Sequence, residues 1–559
     1  MNRTPEPDAD ICIIGAGPAG ALVADRLAGN GHDVVVLDAG KRFSHESRTL
    51  RMERSIRPSH SEMEVWDMDE ERDAYTSSGE VTYPVNTKRS KGIGGSTLHW
   101  GGRVARFTER DFEMNTRYGL AEDWPISYDD LKPYYAEAET EFGVAGATDN
   151  PFAAPRDEPY PMDAFPRSYS DSLFAEACEK VGVTMHSVPN ARNSRTYEGR
   201  PPCVGYGTCS PVCPSGAKYS ADVHIDEAES KGARIIDRAV VRRLETDGSG
   251  SRITGAMYET PDRTTHTQTA DQFLLAAGAI ENARLLLLSS SPEHPNGLAN
   301  SSGAVGKYLM EHPYVGYVGQ FDVETSVNRI GFGTSESYQF YEPDDPPPGA
   351  FKIEFSNSTS PSLPELALEQ KDPLVHMINT VRGDPAAAAD LRSDTQPIEW
   401  GDDLLERLKE SSYGHSFRIV AEIEVLPNAD NRVTLNPDET DKFGDPVPDV
   451  SWGSFTEYAE SAMDRAFEVL EEILSAVDAE VVASSSFEHR QGVGHNSGTT
   501  RMGTDPETSV VDEHHRSHDV PNLFVAGSST FVTLGAGQPT LTIAATSLRL
   551  ADYLDREVL

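Results

Sequence analysis

The chain has 559 residues, with 90 Asp and Glu against 49 Lys and Arg and a formal net charge of −41. That length is more than one small core holds, so two consecutive or interleaved domains are expected, and a hydrophobic content of 37% excludes a disordered or fibrous chain. The charge argues against a nucleic-acid partner, because neutralising phosphates takes clustered cations.

The acid is spread along the chain rather than gathered in a tail, which makes it a solubility coat and not a binding patch. Its self-repulsion is screened within about 3 Å in molar salt, and the composition reads as that of a protein from a high-salt cytoplasm. No apolar run approaches the roughly 18 residues of a bilayer span. The opening residues, MNRTPEPDADI, form no apolar signal core and no twin-arginine address. The expected location is the cytoplasm, at a membrane only through a partner, or exported folded on a partner's signal.

Residues 10–14 (DICII) are a short β-branched run of the kind buried on both faces of a parallel sheet. Gly15-Ala16-Gly17-Pro18-Ala19-Gly20 follows, then a helix in which Ala21, Leu22, Ala24 and Leu27 recur at helical spacing before an Asn-Gly stop. A second strand, DVVVLDAG, carries Asp38 at its end. Gly15 permits the tight turn, Gly17 lets a pyrophosphate approach the backbone, and Gly20 lets helix and strand pack closely. The pyrophosphate then sits at a positive helix N-terminus, and Asp38 falls where a carboxylate accepts ribose hydroxyls. Strand, loop, helix, strand and acid in this order predict a dinucleotide site. Residues 238–244 and 273–278 read as further strands. Late in the chain, 521–530 give a strand and a glycine turn at Gly527-Ser528, followed by a helix in GQPTLTIAATSLRLADYL, 537–554.

Of five cysteines, Cys12 and Cys178 sit in apolar strand and helix runs and read as buried structural thiols. Cys203, Cys209 and Cys213 lie in a Gly-, Pro- and Thr-rich loop with the spacing C-x5-C-x3-C. An odd trio makes a poor disulfide framework, and the spacing is neither a zinc ribbon nor a bacterial ferredoxin. A cluster, a zinc site completed by a nitrogen such as His224, and three unligated thiols all remain open at this level.

The N-terminal fingerprint, Gly94-Gly95-Ser96, FLLAAGAIENARLLLLS at 273–289, His495-Asn-Ser-Gly-Thr, RMG at 501–503, SVVD at 509–512 and the final NLFVAGSS…PTLTIAA together resemble the glucose–methanol–choline (GMC) oxidoreductase family over nearly the whole chain. The resemblance implies an α/β, Rossmann-like FAD-binding domain assembled from 1–110, 200–300 and 485–559, cysteine loop 203–213 included. It also implies an α+β substrate domain from 111–199 and 301–484, built on an antiparallel sheet that roofs the flavin. The acidic, proline-rich stretch 342–400 is expected as surface loop, with a lid or a partner contact as the roles open to it.

By position, Gly94, Gly95 and Ser96 should wrap the flavin, Val240 or Val241 should touch adenine, and Gly527 and Ser528 should close the site. His495 matches the family's catalytic histidine, the base that takes the hydroxyl proton. The partner position, usually His or Asn, is Gln538, whose amide can bond a hydroxyl but cannot be a second base. His489 is a bystander. His99 raises covalent flavin attachment, with a packing histidine beside Trp100 as the alternative. Glu424 either faces the pocket or caps the sheet edge.

The cysteine run and its flanks resemble the catalytic subunits of FAD-dependent glucose, gluconate, sorbitol and fructose dehydrogenase complexes. That resemblance implies a [3Fe–4S] cluster on the three cysteines, a small accessory subunit, and a haem or quinone acceptor. An alcohol or sterol oxidase without a cluster, and a non-catalytic FAD-binding redox protein, are the competing readings.

Overall fold

The computed structural model describes residues 8–55, 65–325, 333–342, 348–356, 400–410, 414–485 and 492–559. Ile11–Ile14 is the centre of a five-stranded sheet, flanked by Gln272–Leu275 and Val34–Leu37, with Leu523–Val525 and Arg234–Ile236 at the edges. Every pairing is parallel. Strands buried on both faces must be apolar throughout, and every residue of Ile11–Ile14, Val34–Leu37 and Leu523–Val525 is buried. Helix Pro18–Gly29 lies between Asp222–Ser230 and Thr540–Tyr553, so the first and last parts of the chain share one layer.

The second large sheet is antiparallel and six-stranded, in the order Ala479–Ser484, Tyr314–Phe321, Ser416–Ile423, Phe351–Ser356, Ser335–Ser337 and His186–Ser187. Phe351–Ser356 alternates apolar and polar residues, and Ser416–Ile423 does so except at Val420. Phe351, Ile353, Phe355, Phe417, Ile419 and Ile423 are fully buried, and this face packs on helices Tyr169–Val181 and Glu457–Ser475, with Phe174 edge-on to Phe417. Each such burial contributes about 1.5–3 kcal/mol. Lys352, Glu354 and Glu422 fall on the other face and are buried as well. A polar face hidden from water needs an occupant or internal neutralisation.

A mixed three-stranded sheet of Arg432–Thr440, Pro446–Ser451 and Thr76–Ser77 ties the two halves together and leans on helix Ala279–Leu288. The expected fold class is therefore observed, and the strands expected at 238–244 and 273–278 form as Val240–Thr246 and Gln272–Leu275. One expectation fails. The stretch read as surface loop from 342 to 400 contains Phe351–Ser356, an interior strand of the six-stranded sheet. Its proline-rich and acidic flanks masked a period-2 alternation only six residues long. Residues 343–347 and 357–399 of that stretch lie outside the described residues, as does His489. Among the described residues, no helix is long and apolar enough to cross a membrane.

Candidate functional site

A single cavity of about 770 Å³ runs from the carboxyl ends of the parallel strands to the polar face of the antiparallel sheet. This is where open α/β sheets bind their ligands. Gly15 (φ +109) turns the chain out of the first strand, and a Cβ there would lie 2.4 Å from the Ala276 carbonyl oxygen. Gly17 caps helix Pro18–Gly29 without a side chain, leaving its N-terminal N–H groups facing the cavity. The second glycine motif is pressed against the first. Gly94 N–H donates to Ala16 O, and a Cβ on Gly95 would lie 2.8 Å from the Gly17 Cα. Asp38 also borders the cavity; its carboxylate accepts from Ala16 N–H and Gly40 N–H, both at 2.9 Å, and burial pushes it up. Ser96, His99, Val240, Val241, Gly527 and Ser528 line the same space, whereas Gly20 and Gly94 stand behind it. A Cβ on Gly20 would sit 2.0 Å from the Gly15 carbonyl oxygen, which accounts for that glycine by packing alone.

At the far end, segments 310–313 and 492–497 run antiparallel, bridged at Met310–Ser497 and Pro313–Gly492. The buried Glu311 carboxylate accepts from Gly494 N–H, from His495 N–H at 2.8 Å and from the Tyr83 hydroxyl, which fixes the His495 backbone. His495 opens on the cavity, and its Nδ1 lies 2.9 Å from Nδ1 of the fully buried His312. Burial and the neighbouring His312 hold His495 well below the usual histidine range, and burial takes His312 down to about 3. Both rings are therefore neutral at neutral pH.

Above them lies the polar face of the antiparallel sheet. Lys352 Nζ is 3.1 Å from Glu422 and 3.5 Å from Glu336, and also pairs with Glu354. Arg103 pairs with Glu354 from the other side. Burial pushes Glu354 up, but Arg103 and Lys352 outweigh it and hold the group well below the carboxylate range; burial and Glu354 hold Glu422 well above it. Gln538 reaches the cavity wall with its amide donating to Glu354 at 3.0 Å and Glu336 at 3.2 Å, so the roof carboxylates orient it.

Residues 82–314 and 427–547 match the two family models described as GMC oxidoreductase, and residues 13–60 match an NAD(P)-binding Rossmann-like domain. The fructose dehydrogenase large subunit of Gluconobacter japonicus is 34% identical, the alignment covering 98% of this chain and 97% of that one. The chain belongs to the GMC oxidoreductase family. The 2-methyl-1,2-propanediol dehydrogenase of Mycolicibacterium austroafricanum is 30% identical over 98% of this chain and 95% of its own length. The solved pyridoxine 4-oxidase of Mesorbium loti superposes with a TM-score of 0.65 at 18% identity, covering 98% of this chain and 99% of that one, and so shares the fold. This GMC oxidoreductase is thus a flavoprotein acting on CH–OH donors. Its cavity fits FAD: two glycine turns stripped of Cβ atoms, an open helix N-terminus and an acid at the next strand end meet in one space.

Beside the flavin cavity of this GMC oxidoreductase lies the cysteine loop, whose Gly207, Thr208, Ser210 and Pro211 form part of the wall. Cys209 is buried, and Cys203 and Cys213 are half-buried. Arg192 Nη1 donates to Cys209 Sγ and Lys218 N–H to Cys213 Sγ, both at 3.5 Å. Lys218 Nζ ties the loop down through the carbonyls of Cys209, Leu98 and Trp100. Arg192 Nε and Nη2 and the Thr208 hydroxyl are buried without a partner among the described residues, and an anionic group held by the thiolates would satisfy such donors. Among the described residues, the three sulfurs do not converge within 4.8 Å of one another, as the thiolates of a single ion would.

Two expectations are corrected. His224 is unavailable to the thiols, because its buried ring bridges Tyr219 Oη at 2.9 Å and Glu141 at 3.0 Å. Glu424 neither faces the cavity nor caps an edge; its buried carboxylate takes Arg110 Nη2 at 2.8 Å and the Tyr458 hydroxyl at 2.6 Å. Cys12 and Cys178 are buried as expected, with burial pushing each thiol up to about 12. The sequence reading missed Glu311, His312, Arg103, Glu336, Lys352, Glu354 and Glu422. Only the alternation in FKIEFS and FRIVAEI hinted at the roof, and EHP at 311–313 carries no spacing motif.

Proposed function

We propose that this chain is the flavoprotein subunit of a dehydrogenase that oxidises a CH–OH group of a sugar, sugar acid or polyol, and that electrons leave through a [3Fe–4S] cluster to a haem or quinone acceptor. The observation that carries the reading is one cavity bordered by a neutral histidine, His495, backed by His312, by a cofactor cradle and by the wall of a three-cysteine loop. The likeness to a fructose dehydrogenase large subunit, and to the gluconate 2-dehydrogenase flavoprotein of Pantoea cypripedii at 25% identity, favours a sugar or sugar acid over a simple alcohol.

Gly15, Gly17, Asp38, Val241, Gly527 and Ser528 would hold the nucleotide part of FAD, and Gly95, Ser96 and His99 its flavin part; Gly20 and Gly94 would support that cradle from behind. When bound, FAD supplies the hydride acceptor. His495, neutral at working pH, takes the substrate hydroxyl proton as the hydride leaves the same carbon. Gln538, whose two amide hydrogens are held by Glu336 and Glu354, offers its amide oxygen as an acceptor to a substrate hydroxyl. The neutralised roof excludes water from this step. Cys203, Cys209 and Cys213 would hold the cluster, which supplies one-electron transfer when bound. Arg192 and Lys218 steady its charge.

The test is iron and acid-labile sulfide per flavin on anaerobically purified protein, together with an EPR spectrum. About three irons per FAD, with a paramagnetic oxidised cluster lost in Cys209→Ser, supports the reading. Flavin without iron, with peroxide formed from a sugar, would leave an oxidase.

A further inference from the structure

His312 touches no part of the cavity, yet among the described residues it is the one side chain bonded to the ring of His495. Its other nitrogen, Nε2, lies 2.8 Å from the Gly535 carbonyl oxygen. A carbonyl oxygen only accepts, so His312 Nε2 carries the hydrogen. In a neutral ring, Nδ1 of His312 is then an acceptor. His495 must in turn present Nδ1–H to it, which leaves the lone pair of His495 on Nε2.

We infer that His312 is a positioning residue: anchored by the Gly535 backbone carbonyl, it holds His495 in the Nδ1–H tautomer and so makes Nε2 the atom that receives the substrate proton. This rests on the reading of His495 as base. The device needs no charge of its own. An acidic residue at position 312 would instead stabilise protonated His495 and raise its basicity, whereas a neutral imidazole fixed by a backbone oxygen selects the tautomer alone. His312 is well placed for that task. It is fully buried, the backbone N–H groups of 312 and 495 share the Glu311 carboxylate, and the rings meet edge to face with centroids 5.1 Å apart. The carbonyl belongs to the segment that also carries Gln538, so the base and the substrate amide are registered from one stretch of chain.

The test uses the FAD-loaded enzyme with D-fructose, D-glucose, D-gluconate and D-sorbitol as probes and a dye as acceptor, plus 15N-histidine NMR of the same protein. His495 signals are identified by their loss in His495→Ala. Wild type should show a protonated Nδ1 and a bare Nε2. His312→Leu, which cannot accept from His495, should lose that preference and lower kcat about 100-fold, with KM changed by less than about twofold. His312→Asn, whose amide oxygen reaches the old Nδ1 position, should recover the tautomer and bring kcat to within about tenfold of wild type.

A protonated Nε2 in wild type, or an unchanged tautomer in His312→Leu, overturns the inference. If the Leu variant does not retain FAD, the wild-type and His312→Asn spectra still decide. Dye reduction that survives His495→Ala would sink the assignment of His495 as base, whereas a dead His495→Ala beside a fully active His312→Leu would sink the tautomer inference alone.

Discussion

The two walls of the cavity are built from opposite materials. The cradle over the parallel sheet is backbone: Gly15, Gly17 and Gly95 bring peptide groups to the surface by having nothing else to bring. The roof is side chain, with Lys352 and Arg103 against Glu336, Glu354 and Glu422, all buried. A backbone wall suits a cofactor that every member of a family shares, because it reads phosphate and ring edges regardless of sequence elsewhere. A wall of mutually neutralised charges suits a substrate, because exchanging one group redraws the pattern of donors and acceptors. The cradle is therefore broken by adding an atom and the roof by removing a charge.

The largest expected effect is at the junction of the two walls. His495→Ala should lower kcat by about 10²–10⁴-fold while FAD stays bound, read by single-turnover flavin bleaching. Next, Lys352→Met leaves three buried carboxylates sharing one guanidinium, and should cost about 3–5 kcal/mol in chemical denaturation. A loss under about 1 kcal/mol would show that the roof charges are not interdependent.

Acidification comes third. His312, and His515 with its Nδ1 on Val525 O, are both buried with pKa values taken down to about 3, against 6.5 unfolded. The unfolded chain binds more protons between those values, so the stability these histidines contribute is complete above about pH 6.5 and is lost as pH falls towards 3. The loss is about 1.4 kcal/mol per pH unit for each ring, and His515→Gln should flatten the melting-temperature profile. The smallest effect belongs to the cradle. Gly95→Ala, at φ +55 and 2.8 Å from Gly17 Cα, should cost about 1–2 kcal/mol and show as faster FAD release on dilution.

The same contrast decides what was legible in the sequence. Gly15 to Gly20 between a buried strand and a helix announces itself, because backbone exposure demands glycine at fixed spacing. The roof does not. Lys352 and Glu354 alternate with Phe351, Ile353 and Phe355 as on any half-exposed strand, and period 2 cannot distinguish water from a sealed cavity on the polar side. Glu422 and Glu424 share that parity, yet the strand ends at Ile423 and Glu424 turns away to Arg110. His312 stands 183 positions from His495, and no local pattern joins them.

The edge strand Leu523–Val525 and the turn at Gly527-Ser528 are drawn from the far end of the chain, yet they complete a sheet begun at Ile11. At about 5–20 residues per second, a ribosome needs roughly 25–100 s to travel from one to the other. Throughout that interval the cavity lacks the wall that Gly527 and Ser528 supply, and Gln272–Leu275 waits with an apolar flank uncovered. The closed cavity is thus assembled only once residues 523–528 have joined the sheet begun at Ile11.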